Sequence, residues 1–219
     1  MVELKAQVLI FDNTAGGVVG NSGLRISGAI SPVGSTFLAA TRFVPTEGAV
    51  LSSVELDLSR ILSATSADIY FCADAAGYPA NGFAGGTALL GSVSFGNQFG
   101  SPAQTVVLTH LSSPPTVLAG ESYWIIASPA APDTWAAWNV VTFGATSAAS
   151  GIGESGPDFA QWTASGVGQG GLRIYGEVVS VPESKGLTQG VGLVLCLGAV
   201  TVCRSRRRKL CPQELRATG

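Results

Sequence analysis

The chain reads as an all-β protein, an antiparallel β-sandwich of jelly-roll-like form followed by a single C-terminal transmembrane helix. Three observations predict this. Apolar residues in the body recur with a period of two, 29 glycines and 11 prolines punctuate them, and an apolar run near the end stops at a basic cluster. A length of 219 residues with few charges suits one sizeable domain of short strands and turns.

The clearest strand is the segment where Val54, Leu56 and Leu58 alternate with Glu55, Asp57 and Ser59. Alternation puts the three apolar side chains on one sheet face and the polar ones on the other. Similar patterns predict strands at residues 7–11, 36–44, 67–73, 89–95, 105–111, 123–128, 135–143 and 172–179. Turn signals separate them, among them Gly77-Tyr78-Pro79, Ser112-Ser113-Pro114-Pro115 and Ala119-Gly120-Glu121, where proline fixes φ and glycine supplies positive φ. Residues 144–171, rich in Gly, Ser and Ala, read as a long loop with one further short strand at 159–163. Nine strands and no soluble helix call for two packed layers.

Charge divides the chain. Residues 7–180 carry four basic and eleven acidic side chains, a net of −7, whereas residues 185–219 carry seven basic and one acidic, a net of +6. An acidic body lacks the electrostatic footprint of a nucleic-acid binder, so no nucleic-acid partner is expected. Cys196, Cys203 and Cys211 belong to the tail, leaving Cys72 alone in the body as a buried small apolar residue. Neither an internal disulfide nor a zinc cage can be assembled there.

Chemistry-bearing residues are sparse. His110 is the sole histidine and is expected on a strand face with Val106 and Leu108, in a structural role. Glu55 and Asp57, about 7 Å apart at i, i+2 on one strand face, could pair as acids, but solvation of a strand surface explains them. Asp68, Asp74, Asp133 and Asp158 offer oxygens to calcium, yet no Asp-x-Asp-x-Asp run occurs. Neither cofactor nor metal is expected, and the body is read as non-enzymatic.

Tryptophan carries the one ligand signal of the body. Trp124, Trp135, Trp138 and Trp162 fall within thirty-nine residues. Trp135 and Trp138 are three apart, so a regular strand points them to opposite faces and one is left for the surface. Core packing and loop anchoring are the first explanation of these rings, and Trp135 and Trp162 are the candidates for the other role, stacking on sugar rings.

Several body segments resemble the bacterial choice-of-anchor domains, especially the type labelled R. These are Asp68-Ile69-Tyr70-Phe71, Gly77-Tyr78-Pro79, Leu89-Leu90-Gly91-Ser92, the stretch from Leu118 to Ile125, and the closing Leu172 to Val178. The resemblance covers roughly residues 8–179 and implies an exported protein ending in an anchor. It transfers no catalytic residue.

The tail resembles the PEP-CTERM sorting signal. Val181, Pro182 and Glu183 match its motif, with Ser184 in place of the usual second proline. An apolar segment at 187–203 follows, then Arg204, Arg206, Arg207, Arg208 and Lys209. Thr188 and Gln189 leave fourteen uninterrupted apolar residues, roughly 21 Å of helix against a hydrocarbon core of about 30 Å. Ten further residues trail the basic cluster. The resemblance implies recognition by an exosortase-type processing enzyme in a Gram-negative bacterium that makes exopolysaccharide.

Cations beside a membrane segment stay cytoplasmic, so the cluster at 204–209 faces inward and the body faces the periplasm. Export then requires a leader. Met1 to Ala6 holds no apolar core, so residues 1–6 are read as the remnant of a leader whose start lies upstream. The expected organisation is therefore 1–6 leader remnant, 7–180 sandwich, 181–209 sorting and anchor segment, and 210–219 disordered tail. The expected function is that of an inner-membrane-anchored protein, destined for the cell surface or extracellular matrix after processing. A carbohydrate-binding module for exopolysaccharide is the alternative.

Overall fold

The computed structural model describes residues 7–15, 18–63, 66–80, 87–100, 104–141, 148–152, 161–166 and 168–178. Their regular structure is all strand: β1 (Gln7–Asp12), β2 (Val18–Ser27), β3 (Phe37–Phe43), β4 (Ala49–Ser63), β5 (Ser66–Ala75), β6 (Tyr78–Pro79), β7 (Ala88–Ser94), β8 (Gln104–Leu108), β9 (Thr116–Val117), β10 (Tyr123–Pro129), β11 (Thr134–Val141), β12 (Ala148–Ile152), β13 (Gln161–Ala164) and β14 (Leu172–Val178). Among the described residues no helix is long and apolar enough to cross a membrane. The transmembrane helix expected at 187–203 lies outside them, as do the motif at 181–184 and the basic cluster at 204–209.

All strand ladders are antiparallel, in the order β1-β14-β4-β11-β2-β3-β10-β5-β6, with β7, β8, β9, β12 and β13 branching from it. Between β2 and β3 the ladder is reduced to one pair, Ser27 with Phe37. Strands on either side of that corner face each other in a sandwich-like arrangement. Ile10, Leu24, Ile26, Val54, Leu56, Leu58, Trp138 and Ile174 from one side meet Ala39, Phe43, Ile69, Phe71 and Ile125 from the other in one apolar cluster. Phe43 packs its ring 5.7 Å from both Phe11 and Tyr123. The second side is buried on its outer face too, where Leu38, Ala40, Cys72, Trp124, Ile126 and Ala149 form a smaller cluster.

The fifteen-residue strand β4 is the spine. Along one edge β14 pairs with it over Leu56 to Ala49, and β11 takes over from Leu58 to Ser63. The opposite edge holds β8 and β9. At the handover a short strap, residues 168–171, leads into β14. Gly171 accepts from Asp57 N–H at 3.1 Å and donates to the Asn139 carbonyl at 2.8 Å. Trp138 Nε1 donates to the same Gly171 carbonyl at 2.8 Å. Across the core, Gly170 N–H donates to Thr41 Oγ1 and Gln169 Nε2 to the Arg42 carbonyl. Glycine is required by space here: a Cβ on Gly170 would stand 2.5 to 2.6 Å from three atoms of the Trp138 indole.

The nine expected strands all occur, but their bounds shift and four elements join them. Chief among these is β2, where Gly20-Asn21-Ser22-Gly23 interrupts the apolar alternation that would mark a strand. The strand expected at 105–111 stops at Leu108, which leaves His110 exposed beyond its end rather than on a face with Val106 and Leu108. The short strand expected at 159–163 is β13, Gln161–Ala164, and it pairs with the unforeseen β12.

Candidate functional site

Of the two tryptophans singled out for stacking, Trp135 is half-buried on the outer side of its strand, and its neighbour Trp138 is wholly buried. Strand parity separates them as expected: Ala136, Trp138 and Val140 point into the core, and Trp135 and Ala137 point away. Opposite this point β4 carries a bulge, since Trp135 pairs with Leu62 and Ala136 with Arg60, leaving Ile61 as the extra residue. The bulge turns Leu62 out beside Trp135, where it is 55% exposed.

On the other flank of Trp135 lies Arg25 of β2. Its guanidinium carbon sits 5.6 Å from the Trp135 ring centroid and 4.9 Å from that of Phe37. Each such contact at an exposed site is worth about 0.5–1 kcal/mol, enough to hold a long flexible side chain in place. Beside it opens a cleft of about 260 Å³ lined by Gly23, Leu24, Arg25, Phe37, Ser150 and Ser165. Phe37 pairs in turn with Ile152, 53% exposed. Leu62, Trp135, Ser27, Phe37 and Ile152 thus occupy successive register positions on β4, β11, β2, β3 and β12.

Trp162 is elsewhere. It packs half-buried against Leu38, Trp124 and their cluster, and its Nε1 has no hydrogen-bond partner among the described residues. Beneath it Trp124 Nε1 donates to Asp74 Oδ1 at 2.7 Å, and Arg42 pairs with the same oxygen at 3.3 Å. The two candidate rings therefore do not make one platform. Trp162 anchors a hairpin, and the partners of Trp135 are Arg25 and Phe37. Sequence reasoning missed Arg25 because it missed β2, and it placed Phe37 on a strand without that neighbour. Reading Leu24, Ile26 against Arg25, Ser27 as an alternating strand would have turned Arg25 outward.

A second cleft, about 320 Å³, lies over Thr36, Asp68, Tyr70 and Ser128 beside the turn at Pro129 to Pro132. Asp68 accepts from Ser92 Oγ at 2.5 Å and Asp74 is taken up by Trp124 and Arg42, while Asp133 is exposed. Asp158 lies outside the described residues. No group of three or more metal-binding side chains occurs among the described residues.

The carboxylates Glu55 and Asp57 depart from the expectation of a solvated strand face. Glu55 is bound to Arg173 at 3.2 Å. Asp57 is only 3% exposed, because Gly171 of the strap packs directly on its carboxylate. Burial raises its pKa above the ordinary 3.8 despite the hydroxyl of Thr105 donating at 2.8 Å and the nearby charge of Arg173. A carboxyl whose pKa is raised by folding contributes most below the unfolded value and loses that contribution as pH climbs through the folded one. Asp57→Asn removes the titration. In urea titrations from pH 3 to 8, the stability of the variant relative to the parent is expected to rise with pH from about 4 upward and then level off. Parallel curves would refute it.

Cys72 is fully buried, as expected, and His110 has Thr109 Oγ1 as a 3.0 Å neighbour.

No family model matches the chain, and no curated protein matches it. Among solved structures, the cysteine protease and lectin-like domains of a surface layer associated protein of Clostridium difficile are similar at a TM-score of 0.41 and 8% identity. The similarity covers 79% of this chain and 36% of that one, so the chain spans about a third of that protein's length. At that level no role passes to this chain.

Proposed function

We propose that the chain is an exported surface or extracellular-matrix protein of a Gram-negative bacterium, with a choice-of-anchor-like, jelly-roll-like body and a PEP-CTERM-like tail. A single C-terminal helix holds it in the inner membrane with the body in the periplasm, and an exosortase-type enzyme processes it for delivery to the surface. The observation that carries this reading is the order of three features in 29 residues: Val181-Pro182-Glu183-Ser184, the apolar segment 187–203, and Arg204 to Lys209. Hydrophobic transfer drives the segment into lipid, and the cations fix its orientation. The body is read as non-enzymatic, with the Cys72 thiol shut away from solvent and the exposed His110 ring beside the Thr109 hydroxyl.

Fractionation of cells expressing the gene with its leader tests the reading. The protein is expected in the membrane fraction, with its body open to protease from the periplasmic side, and a shorter form is expected at the surface. Replacing Val181, Pro182 and Glu183 by alanine is expected to accumulate the longer, membrane-bound form. Uncleaved protein in the soluble cytosolic fraction would overturn it.

A second reading, a carbohydrate-binding module for exopolysaccharide, is favoured by Trp135 with Arg25 and Phe37. Aromatic faces suit the apolar C–H faces of sugar rings, and the guanidinium offers donors to their oxygens.

A further inference from the structure

We propose that the ledge formed by Phe37, Arg25 and Trp135 binds the carboxylates of an acidic polysaccharide, a chain of sugar rings carrying uronate groups. The proposal rests on the reading of the body as a carbohydrate-binding module and names what that module selects.

Arg25 is exposed, and among the described residues it forms no ion pair. This contrasts with Arg42 and Arg173, each of which is matched to a carboxylate. Arg25 instead rests against two aromatic rings, 4.9 and 5.6 Å from its guanidinium carbon. Ring contacts engage the faces of a guanidinium and leave its N–H edge for a planar, two-oxygen acceptor such as carboxylate. Because the rings already hold the side chain, less ordering entropy opposes binding than for a free surface arginine.

Local charge agrees. The body of residues 7–180 carries a net −7, yet Arg25 is the sole charged side chain among the six that line the adjoining cleft. Within this cleft Arg25 is therefore the one charge that an anionic ligand would meet. Ser150 and Ser165 add hydroxyl groups to the lining. Beyond the rings, Leu62 and Ile152 continue the apolar surface at either end of the register series. Four steps of about 4.8 Å give a path of roughly 19 Å along the ladder, long enough for several sugar rings in succession. Together these features fit an extended polymer with alternating apolar faces and carboxylates better than a single small anion.

The test measures binding of the full-length chain to polygalacturonate and to the same polymer with its carboxyls chemically reduced. Affinity for the native polymer is expected to exceed that for the reduced one at least tenfold. Arg25→Gln is expected to erase most of that difference, Arg25→Lys to restore part of it, and Trp135→Ala to weaken binding to both polymers. Thermal unfolding of each variant confirms folding, which an exposed Arg25 makes easy to preserve. Equal binding of both polymers, lost in Trp135→Ala, would overturn the choice of carboxylate and leave the module reading standing. Preference for the native polymer that survives Arg25→Gln would remove Arg25 from the site. Binding to neither polymer by the folded parent would overturn the inference and the module reading together.

Discussion

Trp138→Ala is expected to lower the unfolding free energy by about 3–5 kcal/mol, the range for deleting a large buried aromatic. The indole is 0% exposed and sits where the partner of β4 changes from β14 to β11. Truncation empties the space under the strap and removes the 2.8 Å bond to the Gly171 carbonyl. That carbonyl keeps Asp57 N–H as a donor, so the cost comes from lost packing more than from an orphaned acceptor. For a domain of this size the melting temperature should fall by roughly 6–20 °C. Trp138→Phe retains much of the packing and should cost clearly less. Equal losses for both variants in calorimetry would show that the N–H, rather than the ring, carries the effect.

Gly170→Ala is expected to exceed the ~1–3 kcal/mol of ordinary overpacking. Its new methyl would lie 2.5 to 2.6 Å from the Trp138 ring, and a ring with no exposed surface has nowhere to go. The strap cannot retreat either, since Gly170 N–H is held by Thr41 and the next residue by Asn139. A double-mutant cycle isolates the cause: in the Trp138→Ala background the same glycine substitution should become nearly harmless, with a coupling above about 1 kcal/mol. Additive losses would place the strain elsewhere in the strap.

The parts of this fold that were legible in the sequence are those decided within a few residues. Alternation at Val54, Leu56 and Leu58 marked the spine, and the three-residue spacing of Trp135 and Trp138 was enough to send one inward and the other out. Where a segment takes its order from distant neighbours, local pattern failed. β12, Ala148–Ile152, is nearly featureless in sequence and is a strand because β3 and β13 flank it. Asp57 looked solvated because its cover, Gly171, is far along the chain. The site suffered in the same way: Trp135 was visible as an aromatic on a strand, but Arg25 and Phe37 come to it only through the β2–β3 corner. Trp162 takes the core-packing and anchoring role, against the cluster around Trp124, and no local signal separated it from Trp135.

One feature of the topology bears on how the body is made. The last strand, β14, lies between the first strand and the spine, paired with β1 on one side and β4 on the other. A chain emerging from its N-terminus cannot complete this sheet until residues 172–178 are available. Until then β1 and the β4 edge from Ala49 to Leu56 lack their partner, and closure depends on contacts between the two extremes of the body, the kind of long-range pairing that folds slowly. Completion of the sheet thus waits on the last strand of the body, in whatever order the others form.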